Sequence, residues 1–155
     1  MTMNANAMTR LRLDATGTVL SLDASTEVVL TVSVCDIADR LFHHQPPTPF
    51  EMEQAIDAVE DALTRSRLPH AQRDDLATDD PRLREWVTIG HPQFDESRLT
   101  GEEVEALFQR LASASLGHPT ALAGLPTGRD AAAALLILRE CMHHLGFGGV
   151  RFGMP

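Results

Sequence analysis

Alternation opens the chain: Leu11 and Leu13 stand between Arg10, Arg12 and Asp14, and Val19-Leu20-Ser21-Leu22 follows the Thr16-Gly17 turn. Period-two spacing buries one face of a strand, and the turn pair closes a hairpin. Asp23 to Thr26 interrupt the run before Val28, Leu30, Val32 and Val34 repeat at the same period. The pattern predicts an antiparallel meander of three strands.

Past Asp36 the spacing changes from two to three and four. Ile37, Ala38, Leu41 and Phe42 share one face of a short helix that ends by His43-His44, ahead of Gln45-Pro46-Pro47. Thr48, Pro49 and Glu51 make a capping box with proline in the first turn, which starts a helix over 49–67 with Met52, Ala55, Ile56, Val59, Ala62 and Leu63 inward. A second box, Thr100 with Glu103, starts a helix over 101–116 that buries Val104, Leu107, Phe108, Leu111 and Ala114. Thr127 and Asp130 open a third helix over 128–145, which Gly146 stops. From Ala131 to Leu138 this last helix is apolar on every side, so other elements have to surround it.

Between Leu68 and Arg98 the periodicity fails. Residues 74–80 read as a solvated acidic loop. The β-branched and aromatic run Trp86-Val87-Thr88-Ile89 favours a fourth strand over 81–89, with a helix started by Asp80-Pro81 as the alternative. In that strand Trp86 faces the core, whereas a flap over a ligand site would leave it exposed. The pattern as a whole predicts an α+β fold: a meander of three or four strands packed against three main helices, the C-terminal one central. Residues 1–8 are expected to be disordered and 9–155 to form one domain.

Composition adds exclusions. Hydrophobic residues make up 43% and charged residues 23% of the 155 positions, enough for one core. A formal charge of −9 argues against nucleic acid and anionic membranes as partners. The chain has no Lys and no Tyr, which removes Schiff-base, phosphate-loop lysine and phenolic chemistry. That bias, with Asn confined to Asn4 and Asn6, fits a GC-rich genome. Two cysteines are too few for a disulfide framework, and Cys35 and Cys141 both sit in apolar runs that suggest buried thiols. Without a signal-peptide pattern or a membrane-length apolar run, the expectation is a cytoplasmic protein of bacterial type.

Candidate chemistry rests on the seven histidines, four of which form the pairs His43-His44 and His143-His144 at helix ends. Arg139, Glu140, His143 and His144 fall in one polar sector of an otherwise apolar helix. Glu140 and His143 are three apart, the spacing by which one helix offers a carboxylate and an imidazole to a metal, and Asp39 with His43 offers a second pair. The expected ligands of a transition metal are therefore His143, His144, Glu140 and His43. Against this, histidine is favoured near any helix C-terminus by the macrodipole. The chain also has no second Glu-x-x-His, no His-Glu-x-x-His and no Gly-x-Ser-x-Gly.

Other candidates are weaker still. Cys141 reads as an inert core thiol, the acidic loop lacks the glycine and spacing of a calcium-binding hand, and Gly146–Gly153 reads as a helix cap with a pliable terminus. Two functions follow. The first is a non-catalytic interaction or accessory protein that self-associates, because so much apolar helix asks for cover. The alternative is a small metal-dependent hydrolase whose His/Glu site at the end of the C-terminal helix activates a water.

Overall fold

A computed structural model describes residues 8–90 and 98–153, so the disorder expected over 1–8 lies outside the described residues except at Met8. β1 (Arg10–Asp14), β2 (Gly17–Ser21) and β3 (Glu27–Leu30) form the expected antiparallel meander, with Leu11 opposite Leu20 and Leu20 opposite Val28. Leu11 and Leu13 are buried while Arg10 and Arg12 are exposed, as the alternation requires. Val32 and Val34 do not extend the third strand. The Thr18 hydroxyl donates to the Val32 carbonyl at 2.8 Å and the Ser33 hydroxyl accepts the Asp36 amide at 3.0 Å, which starts α1 (Val34–Asp36) and its π-helical continuation Ile37–Leu41.

Both capping boxes hold. Thr48 and Glu51 start α2 (Pro49–Ser66), and Thr100 and Glu103 start α4 (Gly101–Ser115). α5 (Arg129–Leu145) is capped by Gly128 without a side-chain bond, and Gly146 ends it in the left-handed region at φ 88°. Residues Ala131 to Leu138 of α5 are all buried, and α2, α3 (Pro81–Gly90) and α4 pack on it. The protein therefore has an α+β fold with a central C-terminal helix, and the helices pack against the sheet.

Three segments depart from expectation. Residues 81–89 lie in α3, not in a strand: the Asp80 carboxylate accepts the amides of Arg82 at 2.9 Å and Leu83 at 3.4 Å, Pro81 takes the first position, and Leu83, Trp86 and Val87 supply a helical face. A cap with the correct period outweighs β-propensity here. Within the acidic loop, Leu76–Thr78 is a fully buried strand, β4. The supposedly pliable tail contains β6 (Gly149–Phe152). With β5 (Arg98–Thr100) the sheet runs β3-β2-β1-β4-β6-β5, parallel at β1-β4-β6 and antiparallel elsewhere. Strands of three or four residues are too short to show a period.

One sheet face joins the helices in the core through Leu11, Leu20, Leu76 and Val150. On the other, the register places Glu27, Ser21, Arg10, Ala77, Arg151 and Arg98 in one row. Arg98 reaches across β6 to hold Asp75 through two bonds of 2.7 and 2.8 Å, and Arg151 adds a third at 2.7 Å. Gly149 makes this crossing available, since a Cβ there would come 2.6 Å from Arg98 Nη2 and 2.8 Å from Asp75 Oδ1. Arg98 first, then Arg151, overcome burial to hold the Asp75 carboxyl below its ordinary value.

A strap crosses the end of α5. The Ala71 amide donates to the Leu145 carbonyl at 3.3 Å, the Arg73 amide to Gly146 at 2.9 Å, and Arg73 Nε to Leu145 at 2.9 Å, so the strap satisfies carbonyls that a helix end leaves open. At the opposite corner, burial opposes the charge on Glu51. The Thr48 amide, the His44 ring and the His43 amide together outweigh burial and hold its carboxyl at about 2, against 4.5 ordinarily. A depressed carboxyl stabilises the folded state above its unfolded value, so stability should fall as pH drops from about 4.5 toward about 2. Glu51→Gln should flatten that part of the curve in urea melts, and an unchanged slope would remove Glu51 from the acid response.

Candidate functional site

Parallel pairing aims the carboxyl ends of β1, β4 and β6 the same way. In open sheets with parallel strands, ligands bind beyond those ends. Three connections leave there: the Ala15-Thr16 turn after β1, Asp79-Asp80 after β4 and Gly153 after β6. Gly17 closes the turn, where a Cβ would come 2.8 Å from the Leu30 carbonyl oxygen and 3.2 Å from Val29 Cγ1.

Helix starts gather at the same end. Arg82 is the second residue of α3 and feels the charge of Asp130, the second residue of α5, while Trp86 one turn further on donates to the Ala131 carbonyl in the first turn of α5 at 2.9 Å. Arg82 Nη2 donates to the Leu13 carbonyl at 2.9 Å and to Asp80 at 2.7 Å, its Nε to Asp80 at 3.1 Å, and Asp80 holds the guanidinium above its ordinary value. Asp14 faces Arg12 at 2.9 Å. Asp79 accepts the Gly153 amide at 3.1 Å and faces Arg10 at 3.5 Å. A cleft of about 380 Å³ opens beside this group, lined by Arg10, Arg12, Ser21, Asp79, Asp80 and Pro81. Guanidinium forks beside helix N-termini suit an oxyanion, and adjacent carboxylates suit proton transfer or the orientation of water.

The expected metal residues are not brought together. His143 and His144 are in the last turn of α5, whereas the Phe42 carbonyl beside His43 accepts a bond of 3.0 Å from Arg129 at the start of α5. His143 is fourteen residues further along the helix than Arg129, about 21 Å along the axis. Glu140 is 1% exposed and accepts from Arg139 at 2.7 Å. Arg139 also holds Glu105 through bonds of 2.8 and 3.1 Å and stacks 4.6 Å from the Phe108 ring centre. Burial pushes the Glu140 carboxyl up while Arg139 opposes it. Among the described residues no three His, Cys, Asp or Glu side chains converge to hold a metal ion.

Cys141 is buried and its thiol is pushed up to about 12 by desolvation, as expected of an inert core residue. Cys35 departs from expectation and is exposed. The acidic loop was read as solvated, yet it carries β4 and then delivers Asp79 and Asp80 to the strand ends. The signal that could have located this end was the Asp80-Pro81 helix start directly after a short buried run.

No family's sequence pattern matches the chain, and no curated protein matches it in sequence. Solved structures do resemble it. A Ppx/GppA enzyme of Aquifex aeolicus has a TM-score of 0.68 at 11% identity, with 94% of this chain and 52% of that one covered. An exopolyphosphatase-like protein gives 0.65 at 11% identity over 97% and 57%. An exopolyphosphatase from Cytophaga hutchinsonii gives 0.64 at 12% identity over 98% and 54%. The chain thus spans about half the length of these structures and shares its fold with that half of the Ppx/GppA enzymes.

Proposed function

We propose that the chain is a hydrolase domain that handles phosphoryl groups at the carboxyl ends of β1, β4 and β6. The observation that carries this reading is the meeting of the starts of α3 and α5 beside Arg82, on a fold shared with exopolyphosphatases. The likeness favours the hydrolase alternative over the accessory-protein reading, which has no such support. Arg82 would turn from Asp80 to a phosphoryl oxygen, the first amides of α5 would bind a second, and Asp79 or Asp14 would orient the attacking water. The described residues form no metal cage, so no step here runs through a bound ion. Binding is the first property to measure, because the chain spans about half the length of the similar structures.

Titration with tripolyphosphate in a calorimeter provides the test. Binding should weaken at least tenfold in Arg82→Ala and clearly in Arg82→Lys, which keeps the charge and loses the fork. No heat at millimolar ligand, or binding indifferent to both variants, sinks the reading. The transition-metal site expected at His143, His144, Glu140 and His43 is a separate question: elemental analysis of tag-free protein decides it, a stoichiometric metal lost in His143→Ala supporting that site and metal-free protein removing it.

A further inference from the structure

We infer that the β3 edge of the sheet is a pairing surface for a second copy of this chain. β3 ends the strand order and has β2 as its one partner among the described residues. The Leu22 amide donates to the Thr26 carbonyl at 2.9 Å, which makes 22 and 26 a hydrogen-bonded pair; alternation then makes 20–28 and 18–30 bonded and 21–27 and 19–29 not. The backbone groups of Glu27 and Val29 therefore point away from β2, toward the open edge. Val29 is 60% exposed, an apolar β-branched side chain where an edge kept single would carry charge or proline.

The sequence of this edge complements itself. A two-fold axis at Val29 sets each Val29 against its copy and Val28 against Leu30 of the second copy, while Glu27 falls beside the bend at Thr31 where that strand has ended. Apolar side chains then meet apolar ones, with no like charges opposed. A groove of about 310 Å³ continues from Thr31 and Val32 past Ile37 and Ala62. Its walls carry Asp36 and Asp61 with Arg40 and Arg65, two charges of each sign. A two-fold axis can set each guanidinium against a carboxylate of the other copy. This surface is separate from the phosphoryl site and does not depend on it.

Cross-linking reads the register directly. Residues facing each other in a bonded antiparallel pair have Cα atoms about 5.5 Å apart, within the disulfide range of roughly 4.4–6.8 Å. In a Cys35→Ser background, Val29→Cys should oxidise to a covalent dimer. Glu27→Cys should not, since in that register its two copies lie roughly 13 Å apart. Light scattering of the native chain should give twice the chain mass, halved by Val29→Lys and by Val29→Pro with the melting temperature retained. A native chain that stays single at its highest soluble concentration overturns the proposal. So does a dimer that survives both Val29 substitutions, or one in which Glu27→Cys links to itself while Val29→Cys does not.

Discussion

Replacing Gly146 by alanine is expected to cost about 2 to 5 kcal/mol, among the largest effects of any single methyl group in this protein. Two costs combine. The residue sits at φ 88°, where a side chain costs about 1–2 kcal/mol. The new Cβ would also lie inside contact distance of the Ala71 carbonyl oxygen and 3.1 Å from His70 Nε2, and such overpacking typically costs about 1–3 kcal/mol. Gly124→Ala separates the two, because its φ is 77° and nothing lies within 4 Å of the added atom; about 1 kcal/mol is expected there. Equal denaturant midpoints for the two variants would show that the 71–73 strap moves aside freely.

Trp86→Ala is expected to cost about 3–5 kcal/mol, the usual range for emptying the space of a buried large aromatic. Its ring is 1% exposed and its Nε1 donates to the Ala131 carbonyl at 2.9 Å, so it ties α3 to the first turn of α5. Trp86→Phe keeps most of the ring and leaves that carbonyl without this donor, at about 1–3 kcal/mol. Native emission should be blue-shifted and move red on unfolding, and red-shifted native emission would overturn the packing described. Trp86 stands one turn beyond Arg82 on a helix that meets the start of α5. Loosening it should therefore weaken tripolyphosphate binding beyond what the lost stability alone explains.

Trp86 also marks where the sequence was readable and where it was not. Its burial follows from its chemistry, but its β-branched neighbours favour a strand whereas the Asp80 cap and the Leu83-Trp86-Val87 spacing make a helix. The meander, both capping boxes and the buried C-terminal helix were legible because each repeats a period over several residues or fixes a cap by its own side chains. β4 and β6 were hidden for the opposite reason: each is three or four residues long and flanked by acids or glycines, and their place comes from neighbours far along the chain. The candidate site suffered most from this. Its residues come from five separated segments, and only the parallel pairing of β1, β4 and β6 makes them neighbours, whereas the histidine pairs stood out in sequence and lie at opposite ends of α5.

The position of β6 has a consequence for how the protein is made. Residues 149–152 are the last of the six described strands to emerge during translation, yet they fill the slot between β4 and β5. Until they emerge, β4 has one flank open, β5 has no strand to pair with, and the central helix lacks part of the surface it packs on. A chain stopped before Gly149 would present the open flank of β4, both edges of β5 and part of an apolar helix, the kind of surface chaperones bind. β3-β2-β1-β4 can pair before then, but joining β5 to them waits on the arrival of four residues.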